Sequence, residues 1–304
     1  MHKHYLTPYI LEVTGDGCPP LADIIWAFLK GRRDAPLLDE DNNFLLRVHP
    51  DIRDVGSFTR FITLEAGRYG YAAELVNTVD NRRSYMRRIN EAELLPFSAL
   101  FWAPSSNMRF RNKAILILER IGNEGIKGVL GRDIIDFFRR QGCKLEMDYL
   151  MPDSFLSAIL SSHRISKIRL IKHSIPTDFA DERLRDWDTH GGTLEMILNL
   201  KQGFSERISR SIMAYFRNRN SASSPDGTFW RINSFDYDNI KIEVDIGGGK
   251  RTIDLADLKK VNPSILVSER LDYNNQNGLP TRESILREAA RLLEELKEEL
   301  LISR

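Results

Sequence analysis

Six histidines, two cysteines and a few closely spaced carboxylates are the reactive side chains of this 304-residue chain, and their spacing limits the chemistry they could do. Arg185 and His190 stand five positions apart, with a polar residue directly after the arginine. A guanidinium pairs with phosphate oxygens and an imidazole moves protons near neutrality, so this pair could act on a phosphodiester. Asp236, Asp238, Glu243 and Asp245 could hold a divalent cation through carboxylate oxygens. Against that, Lys241, Glu243 and Asp245 alternate along one strand, the pattern of a solvated face. A nuclease of the Asp…Glu-x-Lys kind also needs a lysine two residues after its glutamate, where Glu243 is followed by Asp245.

No HExxH, GxSxG or GxGxxG motif occurs, and Lys127 is followed by Gly128 rather than by Ser or Thr, so no Walker phosphate loop is present. Gly122, Gly125, Gly128 and Gly131 could bring backbone amides to an anion, but they read more simply as a tight strand-to-helix connection. Gly247–Gly249 reads as a hairpin turn between KIEVDI and RTIDL. Cys18 and Cys143 are too few for a disulfide framework or a cysteine zinc site, and both are expected as reduced thiols. No metal or cofactor is expected.

Basic residues offer a second kind of site. The net charge of +1 conceals a gradient: residues 1–108 carry −2, residues 109–220 carry +6 and residues 221–304 carry −3. This excludes a polycation but allows a local phosphate-binding face. Arg207, Arg210, Arg217 and Arg219 lie on or just beyond an expected helix at 204–217, with Lys167 and Arg169 as support. Further clusters are Arg82, Arg83, Arg87 and Arg88 around Tyr85, and Arg109, Arg111 and Lys113 around Phe110.

The elements that must position these groups follow from periodicity. Helices are expected at 21–29, 132–140, from Asp153 or Ser154 onward, at 204–217 and at 281–302. Strands are expected at 43–48, 58–65, 71–78, 94–103, 113–119, 144–150, 167–175, 193–200, 240–246 and 251–255. Residues 66–70 read as a hairpin connection, and Pro96 suggests an edge or strand-start position. KAILILE is continuously apolar, as a strand buried on both sides would be. In the last helix Ile285, Ala289, Leu292, Leu293, Leu296 and Leu300 form one stripe, which must pack on the body or on a second copy. The class is α+β, with mostly antiparallel sheets, packed helices and a long C-terminal helix. A β-rich region 1–108 and an α/β-type region 109–304 are the expected parts, or one continuous domain. The N-terminus does not read as a signal peptide and no apolar run is long enough to span a membrane, so a cytoplasmic protein is expected.

The Arg185…His190 spacing resembles the signature of HEPN ribonucleases. The resemblance implies a helical bundle with those two residues acting on the scissile phosphate; here Gly191-Gly192 and an expected strand follow at once. LLPFSALFWAP and AILILERIGNEGIKGVL resemble segments of uncharacterised bacterial proteins from mobile elements and phage-defence loci. That resemblance implies an accessory protein of such a system and assigns no residue a role. The leading expectation is a binding protein that engages nucleic acid or a partner protein through its basic middle. The alternatives are an HEPN-like ribonuclease using Arg185 and His190, and a scaffold that oligomerises through its C-terminal helix.

Overall fold

Lys113–Ile121 is apolar at nearly every position because it lies in the middle of a sheet covered on both faces: Ala114 through Leu118 are all at most 2% exposed. The computed structural model describes residues 2–15, 17–104, 110–161, 165–173, 192–200, 239–246, 249–255 and 257–302. The chain divides into two compact units, Met1–Asp148 with Ser264–Glu295, and Tyr149–Pro263 with Leu296–Arg304.

In the first unit the strands are β1 (His4–Thr14), β2 (Leu37–Asp39), β3 (Phe44–Val48), β4 (Arg53–Gly56), β5 (Thr59–Arg68), β6 (Ala73–Val76), β7 (Arg83–Arg87), β8 (Glu93–Trp102), β9 (Lys113–Ile121), β10 (Glu124–Gly125) and β11 (Lys144–Tyr149). Helices α1 (Leu21–Asp34) and α2 (Lys127–Arg140) belong to the same unit. The main sheet runs β11-β1-β9-β8-β5-β3-β2, with β4, β10 and a late two-residue strand, Ile265–Leu266, attached to its members. Strands β6 and β7 pair only with each other.

Successive residues of a strand point to opposite faces, and Phe61 and Ile62 of β5 are both fully buried. On one face α1 supplies the cover: Trp26 meets Phe101 edge-on with ring centres 6.5 Å apart, and Arg60 lies over the Trp26 ring. Arg32 of α1 forms a two-pronged bond to Asp133 of α2, Nε to Oδ2 at 2.6 Å and Nη2 to Oδ1 at 2.5 Å. On the opposite face the C-terminal helix begins with Arg282, whose guanidinium stands 5.7 Å from the Phe61 ring centre.

The second unit contains α3 (Asp153–Ser161) and the antiparallel sheet β13-β12-β14-β15, formed by β12 (Ile165–Lys172), β13 (Leu194–Asn199), β14 (Asn239–Ile246) and β15 (Gly249–Asp254). Its core joins Leu156 and Ile159 of α3 to Ile168, Leu170, Ile242, Val244 and Ile253 of the sheet. The short strand of the first unit noted above is β16 (Ile265–Leu266), and the chain closes with α4 (Arg282–Ile302). Ile285, Ala289, Leu292, Leu293 and Leu296 of α4 are buried within the single chain. The fold is α+β with mostly antiparallel sheets, and no helix among the described residues is long and apolar enough to cross a membrane.

Several expectations are corrected. Cys18 and Cys143 form a disulfide rather than two thiols, with Cα atoms 5.8 Å apart. The 125-residue separation concealed this; β1 and β11 are sheet neighbours and bring the two together. Strand β1 was not expected, because Pro8 interrupts it, yet it pairs with β9 from His4 to Glu12. Residues 66–70 are no hairpin turn: β5 runs on to Arg68 and pairs with β8. A Cβ on Gly67 would lie 1.6 Å from the Glu93 carbonyl oxygen, so only glycine permits that approach. Helix α2 begins at Lys127, so Gly128 and Gly131 are helical, while Gly122 makes the turn that folds β10 back on β9. Pro96 sits inside a central strand. Its missing N–H faces β9, where the β8–β9 ladder has not yet begun; pairing starts at Ala99–Leu118.

Candidate functional site

Between β5 and β8 the chain leaves the sheet and builds a separate two-stranded hairpin, β6–β7. Residues Asn77 to Arg82 form its tip: the Asn77 N–H donates to the Arg82 carbonyl at 2.8 Å, and Asn81 takes a positive φ of 57°. At the base the Gly70 N–H donates to the Ile89 carbonyl at 2.8 Å. Gly70 has φ +96°, and a Cβ there would come within 2.9 Å of the Asn43 side chain, so the turn away from the sheet needs glycine.

From Tyr71 to Asn90 every residue except Ala73 and Arg87 is exposed. Large apolar or aromatic side chains are exposed along its whole length: Leu75, Val76, Tyr85 and Met86 on the strands, Val79 at 93% on the tip, Ile89 at 65% and Tyr71 at the base. Seven of the thirteen exposed large hydrophobic side chains among the described residues fall within this one short segment. Single exposed apolar residues are ordinary on a protein surface, but a contiguous patch marks an interaction surface.

The hairpin is held in shape at its base. Arg87 is 4% exposed, with its guanidinium 4.1 Å from the Tyr71 ring centre and 3.6 Å from the Glu93 carboxylate. The Tyr85 hydroxyl donates to Glu91 at 2.5 Å, and the Arg88 N–H donates to the same oxygen at 2.8 Å. The Tyr85 hydroxyl and then this backbone N–H hold the Glu91 carboxyl below its ordinary value, while the carboxylate holds the phenol above its own. Leu75 stands opposite Tyr85, and Met86 opposite Glu74, so each face of the ribbon carries exposed apolar surface. Arg82, Arg83 and Arg88 border it; Arg83 lies 3.7 Å from Glu74, and the charge of Arg88 acts on the Glu91 carboxylate.

Among residues singled out from the sequence, Arg185, His190, Arg207, Arg210, Arg217, Arg219, Arg109, Asp236 and Asp238 lie outside the described residues, as does the helix expected at 204–217. Lys167 and Arg169 are described, on β12, and both meet carboxylates of adjacent strands: Lys167 lies 3.5 Å from Glu243 on β14, Arg169 3.6 Å from Glu195 on β13. Lys241 similarly faces Asp254 at 3.5 Å. Among the described residues no group of three or more His, Cys, Asp or Glu side chains is placed to hold a metal ion. The cluster Arg82, Arg83, Arg87 and Arg88 around Tyr85 belongs to the hairpin. Leu75, Val76, Val79, Met86 and Ile89 beside it are strand-forming residue types, which signal a strand and not that it lacks a covering layer.

Compared with known proteins, no family model and no curated protein matches the chain.

Proposed function

We propose that this is a binding protein that docks on a partner protein through the hairpin 71–91. The observation that carries the reading is the concentration of exposed apolar and aromatic side chains on a ribbon anchored by Gly70, Arg87 and Glu91. Burying one Val, Leu, Ile or Met side chain contributes roughly 1.5–3 kcal/mol, so a few of these seven would anchor a complex. Arg82 and Arg88 at the margin call for an acidic rim on the partner.

A protein is favoured over nucleic acid because residues 71–91 carry four arginines against Glu74, Asp80 and Glu91. Phosphate binding would require the basic groups, and would leave Leu75, Val76, Val79 and Met86 without a role. Lys167 and Arg169, which would have supported a nucleic-acid surface, are engaged with carboxylates of their own sheet.

The test is to recover proteins that copurify with the full chain from its native cells, purify each, and titrate it back. A specific partner should bind the intact chain and lose at least tenfold in affinity to a Val79→Asp, Ile89→Asp double variant. An unchanged affinity, or a complex that forms only with DNA or RNA, would overturn the reading.

A further inference from the structure

Helix α1 carries Trp26, Lys30 and Arg33 at the spacing i, i+4 and i+7, so the three share one face. These side chains line an open cleft of about 430 Å³ together with Asp54 of β4 and Arg60 of β5. Asp54 and Arg60 stand directly opposite each other in the β4–β5 ladder. The volume lies within the range of small-molecule sites. Leu29, 1% exposed, and the half-buried Ile52 supply the apolar part of the lining.

The charges of the cleft are unequal. Lys30, Arg33 and Arg60 meet one carboxylate among the lining residues, Asp54. Arg60 Nε donates to Oδ1 of Asp54 at 2.8 Å, and Arg33 Nε donates to Oδ1 of Asp34, beside the cleft, at 2.9 Å. Even with Asp34 counted, three cations face two carboxylates. Both bonds use Nε, so the terminal nitrogens of the two guanidinium groups make no hydrogen bond among the described residues. Lys30 is exposed and makes no hydrogen bond or ion pair among them. The Arg33 bond first, and then the charges of Arg33 and Lys30, hold the Asp34 carboxyl below its ordinary value, so both cations bear on one point.

Arg60 is held in place by the chain itself. Its guanidinium lies 4.2 Å from the Trp26 ring centre and is tied at Nε to Asp54, which leaves its other nitrogens oriented in advance. The Trp26 face that Arg60 covers is closed to a stacking ring, so the cleft selects by charge and hydrogen bonding.

We propose that this cleft binds a small phosphorylated molecule, a phosphomonoester or a diphosphate, whose terminal oxygens accept hydrogen bonds from Arg33, Arg60 and Lys30. A phosphoryl group offers three terminal oxygens around one centre and suits several converging donors, whereas a carboxylate offers two. No histidine, cysteine, serine or threonine lines the cleft, so it is assigned binding and not group transfer. None of its lining residues belongs to the hairpin, and the site does not depend on the docking reading.

The experiment is calorimetric titration of the full chain at physiological salt with inorganic diphosphate and with ADP. Acetate and a single-stranded DNA oligonucleotide are the comparators. At least one phosphorylated probe should bind at millimolar concentration or below, and acetate should not. Lys30→Gln removes an exposed cation without an internal partner, so the variant should fold and bind that probe about tenfold more weakly. Asp54→Asn keeps an acceptor for Arg60 Nε while removing the carboxylate, and should bind the probe more tightly. Arg139→Gln removes a cation that does not line the cleft and should bind like the parent. The proposal is overturned if neither phosphorylated probe binds, if acetate binds as well, or if the oligonucleotide binds more tightly than either probe. It is equally overturned if Lys30→Gln binds like the parent, if Asp54→Asn weakens binding, or if Arg139→Gln weakens it as much as Lys30→Gln.

Discussion

His4 and Glu119 are 115 positions apart in the chain and 2.8 Å apart in the structure, on adjacent strands and almost wholly out of water. The carboxylate also accepts the Ser98 N–H, so it supplies the bond that the interrupted β8–β9 ladder does not. Removing it leaves two buried donors unsatisfied. Glu119→Ala should therefore lower unfolding stability by about 2–6 kcal/mol, at about 1–3 kcal/mol for each buried donor left unpaired. Glu119→Gln retains an acceptor oxygen and should lose less, about 1–3 kcal/mol. Chemical denaturation of both variants checks the order. Equal and small losses would mean that the carboxylate does not hold the strands.

The hairpin should behave in the opposite way. Val79 and Ile89 are exposed and have no place in the core, so Val79→Asp and Ile89→Asp should each change stability by no more than about 0.5 kcal/mol. The same changes should lower self-association at high concentration, because they break an exposed apolar patch. Gly70→Ala is the contrasting control. Its φ of +96° and the contact with Asn43 make any Cβ unfavourable, so it should release the base of the hairpin and raise amide exchange in residues 71–91.

The disulfide gives a third expectation. Closing a loop of this length stabilises the native state chiefly by restricting the unfolded chain, typically by about 2–5 kcal/mol. Cys143 is 3% exposed, and serine there adds only a small polar group. Cys143→Ser should lower the unfolding free energy relative to the oxidised parent by that amount, while the parent treated with a reductant should approach the variant. If reductant leaves the parent unchanged, the bridge does not contribute to stability in solution.

The sequence made some of this architecture readable and hid the rest for identifiable reasons. The KAILILE strand, the hairpin joining 240–246 to 251–255, and the stripe on the last helix each carry their periodicity locally, and each is present. Strand β1 was obscured by Pro8 and by burial on both faces, which removes the alternation that announces a half-exposed strand. The His4–Glu119 pair and the Cys18–Cys143 bridge are products of strand order, which no local pattern encodes. The arginine and lysine clusters were visible as residue types. Whether they faced solvent or a carboxylate depended on register: Lys167 meets Glu243 because β12 and β14 pair antiparallel.

That register carries a pH dependence. The Ser166 hydroxyl donates to Oε1 of Glu243 at 3.0 Å, beside a bulge in β12, and the ammonium groups of Lys167 and Lys250 lie 3.5 and 3.4 Å from the carboxylate. The Ser166 bond first, and then the two lysines, hold the Glu243 carboxyl below its ordinary value of 4.5. A carboxyl that is more acidic in the folded state binds fewer protons there than when unfolded, so its contribution is complete above the ordinary value. It is lost as pH falls through the lower, folded value. Glu243→Gln should accordingly be less stable than the parent at neutral pH. Its stability should fall less steeply on acidification, and the two curves should converge once pH lies below the folded value. Denaturation measured from neutrality to strongly acidic conditions provides the comparison, and parallel curves with no convergence would show that Glu243 is not held in its charged form by Ser166, Lys167 and Lys250.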